Sequence, residues 1–221
     1  MSAASHPLAS AVGAWDRRWS LAEGREGWLE PERTVVETVA ARRDLGQVVA
    51  LDIGCGVGRH ALALAQLGCR VTAIDGSAAG LDFARNASAT AGLDIDFREG
   101  SMLELPVADG TQDYVLAWNV IYHGDADVVQ HCIAEIRRVL KPGGIYQGTM
   151  LSKRNQRFGR GQEVAHDTFV IPEESDKAHP HYYCNAAELV ALFDGFELLS
   201  LVDQEHGQPG NWHWHLVATR L

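Results

Sequence analysis

The most constraining stretch of this chain is Leu51-Asp52-Ile53-Gly54-Cys55-Gly56-Val57-Gly58, where a short apolar run ends in an acid and breaks into alternating glycines. The run Val48 to Ile53 suits a strand buried on both faces. Glycines permit backbone conformations closed to other residues and let a ligand approach the main chain. The helix expected next presents free N–H groups and a partial positive charge at its start. Such a turn can receive a phosphate or the carboxylate of an amino acid. The dinucleotide fingerprint G-x-G-x-x-G is not met, because the third glycine comes one residue early and Arg59 stands in its place. That spacing favours a nucleoside ligand without a pyrophosphate.

Strands and helices alternate from Gln47 onward. Ala61 to Leu67 reads as a helix closed by Gly68, Arg70 to Ile74 as a strand, and Ser77 as the cap of a helix running to Ala91. Ile95 to Arg98 and Tyr114 to Trp118 are further strands. Asp125 to Leu140 carries one apolar stripe, with acids at its start and Arg137, Arg138 and Lys141 at its end. Pro142-Gly143-Gly144 stops it ahead of a strand from Ile145 to Leu151. Repeated strand–helix–strand units imply a doubly wound, mostly parallel sheet with helices on both faces. Ser152 to Pro180 is polar and aperiodic, so it reads as a lid or substrate loop. A helix from Asn185 to Phe193 and strands Phe196 to Val202 and Trp212 to Thr219 complete seven strands. Ahead of the sheet, Ala14 to Ser20 and Glu30 to Arg42 read as helices, and the first residues as a loose tail.

Composition narrows the partners. The 221 residues carry a formal net charge of −10, and no basic cluster offsets it, which argues against nucleic acid. The basic group Lys153, Arg154, Arg157 and Arg160 reads as a solvated loop. No apolar stretch approaches the roughly 20 residues of a membrane helix, and the N-terminus lacks a secretory pattern. Cys55, Cys69, Cys132 and Cys184 show no C-x-x-C pairing and read as buried thiols of a cytoplasmic protein.

Asp75 ends the second strand, Val71-Thr72-Ala73-Ile74, where an acid can accept hydrogen bonds from both hydroxyls of a ribose. With Gly76 and Ser77 supplying turn and cap, its carboxylate is free for a ligand. Taken in order, LDIGCGVGRH, AIDGS, GSMLELP (Gly100 to Pro106), DYVLAWNVIYHG (Asp113 to Gly124) and LKPGG (Leu140 to Gly144) resemble the successive motifs of class I S-adenosylmethionine (SAM)-dependent methyltransferases. The resemblance covers about residues 30 to 150, nearest the small-molecule enzymes of tellurite resistance and ubiquinone/menaquinone biosynthesis.

The resemblance implies one domain over residues 1–221: a helical cover (1–45), a SAM-binding core (46–151), and a substrate loop with C-terminal strands (152–221). It implies a Rossmann-like sheet of order 3-2-1-4-5-7-6 with the last strand antiparallel. Asp52, Gly54, Cys55 and Gly56 would border the methionine end of SAM, and Asp75 and Gly76 its ribose. Ser101 and Met102 would lie at the adenine, where many relatives have Asp instead of Ser101. Asn119 would line the site near the reacting methyl. The acceptor would be a small molecule, and the protein a monomer or homodimer. A SAM-binding enzyme with other chemistry, or a binding protein without turnover, would share these motifs.

His123, just past the fourth strand, is a candidate general base, with Tyr122 either a substrate wall or core. Trp15, Trp19 and Trp28 are core anchors or an aromatic cover, with Trp19 and Trp28 placed at the substrate. His213 and His215 share a strand face, and His179 and His181 precede them. No third ligand of fixed spacing joins them, so His181, Tyr182, His213 and His215 are expected to be polar pocket residues, without a metal. His6, His60, His131, His166 and His206 carry no functional reading.

Overall fold

The computed structural model describes residues 8–42, 48–174 and 176–221. The N-terminal tail with His6, and the start of the alternating pattern at Gln47, lie outside the described residues. The parallel core consists of β1 (Val49–Ile53), β2 (Arg70–Asp75), β3 (Ile95–Glu99), β4 (Gln112–Ala117) and β5 (Leu140–Ser152). They lie side by side as β3-β2-β1-β4-β5. Three of the four connections run through a helix, α4 (Arg59–Gln66), α5 (Ala78–Ala91) and α6 (Ala126–Val139), and β3 reaches β4 through a loop. Three helices precede them, α1 (Ala9–Ser20), α2 (Ala22–Arg25) and α3 (Arg33–Ala40).

Alternation along the strands makes two cores. Tyr114 and Leu116 of β4 pack with Val35, Val39, Leu64 and Leu81 of α3, α4 and α5. Val115 and Ala117 face the other way, onto Val129, Ile133 and Ile136 of α6. Each such side chain contributes about 1.5–3 kcal/mol on burial, which fixes strand register. Asp125 caps α6 by accepting from Val128 N at 3.0 Å, and Ser77 caps α5 by accepting from Gly80 N at 3.0 Å.

The C-terminal strands β9 (Phe196–Glu205) and β10 (Trp212–Arg220) extend the sheet as β5-β10-β9. β10 is antiparallel to both neighbours, giving the expected order. Two sequence expectations need correction. The β5 strand starts directly at Leu140, pairing with Gln112, and Pro142-Gly143-Gly144 forms an irregularity within it rather than a gap before it. The stretch expected to be an aperiodic loop holds a ribbon of β6 (Gln162–Ala165) and β7 (Thr168–Val170), which joins β8 (His181–Cys184) and through it β5. Strands of four and three residues are too short to show a period. Asp167, at φ +55°, supplies the turn between β6 and β7, and Lys153 pairs with both Asp167 and Glu188. Helix α7 (Ala186–Leu192) follows, with Asn185 and Glu188 forming a capping box. No helix among the described residues is long and apolar enough to cross a membrane.

Candidate active site

At the carboxyl end of β1 the chain turns through Gly54 at φ +63° and Gly56 at φ +52°. A Cβ on Gly54 would lie 2.5 Å from Val120, so both space and backbone conformation demand glycine there. The turn is tied to β2: Cys55 N donates to Ile74 O at 3.0 Å, and Gly56 N donates to Asp75 Oδ2 at 2.7 Å. Asp75 Oδ1 accepts from Ser77 N at 2.7 Å. Each carboxylate oxygen retains a lone pair for a ligand. Burial pushes the Asp75 carboxyl up, against the pull of the bonds from Ser77 and Gly56.

Below the turn, Asp52 is buried and its Oδ2 has no hydrogen-bond partner. Burial pushes its carboxyl up to about 7, with Arg59 pulling it down and Asp75 adding to the rise. An acid in this state is poised to gain from an approaching cation. Arg59, at the would-be fingerprint glycine, lines the cavity beside the turn: its guanidinium donates to Glu30 O at 3.2 Å and lies over the Trp28 ring.

Helix α1 roofs the turn. Trp15 and Trp19 stack at 5.0 Å, and Trp28 meets both edge-on at 5.5 Å. A Cβ on Gly56 would lie 3.2 Å from the Trp19 ring. Asp16 locks the helix in place by accepting from Ser77 Oγ at 2.7 Å and Ala79 N at 3.0 Å. All three tryptophans line one cavity of about 450 Å³, so they pack and cover at once. Its other walls are the glycine turn, Asp75, Gly100 to Met102, Trp118 to Val120, and His123. The expected residues Gly54, Cys55, Gly56, Asp75, Gly76, Ser101, Met102 and Asn119 therefore share this cavity, whereas Asp52, buried within β1, does not line it. Ser101 spends its hydroxyl on Leu103 N, accepting at 3.1 Å.

The outer wall is built on Asn119, which sits at φ +61°. Its N–H donates to Thr149 Oγ1 at 2.8 Å, and its Oδ1 accepts from the same hydroxyl at 2.9 Å. Its amide nitrogen meets His206 Nε2 at 3.1 Å, and its carbonyl accepts from His123 Nε2 at 3.1 Å. The other ring nitrogen of His123, Nδ1, meets His179 Nε2 at 2.9 Å. Burial, reinforced by His179 and Lys177, pushes His123 well below the usual histidine range. With both nitrogens engaged and the ring held neutral, His123 is a wall and positioning residue here rather than a free base.

Other expected substrate residues fall outside the cavity. Tyr122 and Tyr182 are buried in the α6-side core. Tyr182 is fixed there through its backbone, its N–H donating to Tyr122 O. His181 packs behind His123, its ring 4.8 Å away. His213 is buried between Tyr122 and His206, its Nδ1 donating to Asn211 O at 3.1 Å. His215 lines a separate cavity of about 440 Å³ on the far side of Trp118, with Thr34 and Glu37. Conversely, three residues given no role in the sequence reading belong to the site. Trp118 and His60 line the cavity, His60 accepting from Glu32 N at 3.2 Å, and His206 braces Asn119. Trp118 was open to discovery as the residue before Asn119 at a strand end; His60 and His206 carry no local pattern.

Residues 50–144 match the family model described as "Methyltransferase domain". The chain is 30% identical over 179 residues to the sterol 24-C-methyltransferase erg6 of Schizosaccharomyces pombe, covering 76% of this chain and 45% of that protein. It is 38% identical over 120 residues to the ubiquinone biosynthesis O-methyltransferase of Methylocella silvestris, covering 53% of this chain and 45% of that protein. The chain thus spans about half the length of these curated relatives. A solved structure of a SAM-dependent methyltransferase from Methanosarcina mazei superposes with a TM-score of 0.71 at 23% identity, covering 87% of this chain and 99% of that one. That likeness establishes the Rossmann-like fold.

Proposed function

From a chain whose residues 50–144 match a methyltransferase domain, we propose an enzyme that moves the methyl group of SAM to a small-molecule acceptor. The observation that supports this reading is the glycine turn bonded to the acid at the tip of the second strand, Gly56 N donating to Asp75 Oδ2 in the cavity wall, with the unpartnered Oδ2 of Asp52 buried in the strand before the turn. A cofactor with an ammonium at one end and a ribose diol further along suits that pair.

Gly54 and Gly56 would bring the main chain close to the amino-acid end of SAM, with Asp52 answering its ammonium. Asp75 would accept from the ribose hydroxyls through the lone pairs that Gly56 and Ser77 leave open. Ser101 and Met102 would border the adenine, Met102 by apolar contact. When bound, SAM supplies a sulfonium methyl that is electrophilic without protein assistance. The protein's part is alignment and exclusion of water. Trp15, Trp19 and Trp28 would shut the cavity from solvent, and Asn119 and His123 would set the wall that the acceptor meets. Both nitrogens of His123 are engaged, Nε2 with Asn119 O and Nδ1 with His179, which favours an acceptor that arrives ionised or carries a lone pair needing no deprotonation by His123. The free, buried cysteines suit a reducing compartment, and we place the protein in the cytoplasm.

The test is product analysis. Incubation with SAM and a panel of phenolate, thiolate and amine acceptors should release S-adenosylhomocysteine with at least one of them. SAM binding with no S-adenosylhomocysteine from any acceptor class would favour other chemistry on the same cofactor.

A further inference from the structure

Behind the cavity, three buried histidines meet: His123 after β4, His179 before β8, and His181 at its start. One nitrogen from each lies within 4.8 Å of the others. The backbone holds them there. His123 and His181 form an antiparallel bridge, and Tyr182 N donates to Tyr122 O at 3.0 Å.

Their protons can be assigned from their partners. A carbonyl only accepts, so His123 Nε2, at 3.1 Å from Asn119 O, carries a hydrogen. For the same reason His181 Nδ1, at 2.7 Å from His179 O, carries one. In the neutral rings this leaves lone pairs on His123 Nδ1 and His181 Nε2. Metal-ligating histidines commonly show this arrangement, the non-ligating nitrogen pinned to a carbonyl and the other aimed inward. His179 brings Nε2 to 2.9 Å from His123 Nδ1, while its own Nδ1 is buried without any partner. An ion held by His179 Nε2 would leave the hydrogen of that ring on Nδ1, so what points to an ion is the convergence of the three rings.

We propose that His123, His179 and His181 bind one divalent transition-metal ion, zinc by the chemistry of the ligand set. Three neutral imidazoles and no thiolate or carboxylate favour zinc and its late first-row neighbours over magnesium or calcium. An incoming dication must displace the resident cation. Lys177 Nζ lies 3.3 Å from His181 Nε2, where it donates, and 3.6 Å from Asp176 Oδ2. An incoming ion takes the His181 lone pair, and Asp176 keeps the displaced ammonium paired. Because His123 also lines the cavity, the ion would stand at the acceptor end. The proposal does not depend on methyl transfer.

The test uses the whole chain, stripped with a chelator and titrated with Zn²⁺ against a chromophoric competitor, then with Co²⁺. One equivalent should bind, and the cobalt protein should show the intense visible bands of a low-coordinate nitrogen site. His179→Gln and His181→Asn should each weaken binding at least about a hundredfold, since loss even of outer-shell partners costs 10–100-fold. His213→Ala, outside the triad, should leave it unchanged. Absence of stoichiometric binding by the unmodified chain, or equal loss in all three variants, overturns the site. The unmodified chain gives that answer even where a variant fails to fold, and a SAM titration of the same samples reports separately on the cofactor site.

Discussion

The two ends of the cavity are built in opposite ways. The end proposed for the cofactor is made of backbone and carboxylate: Gly54 and Gly56, tied by short bonds to Asp75 and Ile74 of the neighbouring strand, with Asp52 buried in the strand before them. The end proposed for the acceptor is made of side chains from distant segments, Asn119, His123, His179 and His206, held by one another. The first is a general device that any acceptor can share. The second is where this chain can be selective. Charge differs as well, since one end holds carboxylates with Arg59 nearby and the other holds neutral imidazoles.

That contrast can be broken most sharply at Gly54. Gly54→Ala places a methyl against Val120 in a left-handed backbone and should cost about 2–5 kcal/mol of stability. SAM affinity should fall about a hundredfold or more, equal to roughly 2.8 kcal/mol. Calorimetry and denaturant melts read both, and near-normal values would show that the turn tolerates a side chain.

Asp75→Ala should weaken SAM at least about tenfold, because charge-assisted bonds to the ribose contribute about 1.5–3 kcal/mol each. Unchanged affinity in a folded variant removes the ribose role.

Asp52 sharpens the electrostatic side of the contrast. Its folded carboxyl is raised from 3.8 to about 7, so the folded state holds its proton more tightly than the unfolded chain. Its contribution to stability is therefore full below the ordinary carboxylate range and is lost as pH rises through about 7. SAM affinity should move the other way, rising as the carboxylate forms to meet the ammonium. Asp52→Asn should flatten both profiles; a slope that persists assigns it to another group.

The smallest effect is expected at the acceptor end. His206→Ala removes one brace from Asn119 and should cost about 1 kcal/mol of stability. SAM affinity should stay within about twofold, as a loss this small at a remote partner implies. A larger loss would mean that the two ends are coupled.

Sequence reading reached these two ends unequally for the same reason. Gly54, Gly56 and Asp75 declare themselves because strand ends and tight turns are local, and glycine is forced by backbone angle. The cap at Ser77 is legible on the same ground. His179 and His181 look like loop residues until β8 is laid beside Tyr122 and His123, which only the assembled sheet does. The strand that His181 opens, β8, is four residues long and too short to announce a period. Tyr182 and His215 were misplaced because alternation along a strand tells which residues share a face, but not which cavity that face meets.

Asn119 carries a consequence for the order in which the molecule assembles. The bond from Gly56 to Asp75 closes a loop across 19 residues, whereas Asn119 must wait for Thr149, 30 residues on, and His206, 87 residues on. Short closures form early and long ones late. During synthesis the cofactor turn can therefore organise while the ribosome still holds the C-terminal strands, and the acceptor wall closes only once β10 has been released to pair with β5.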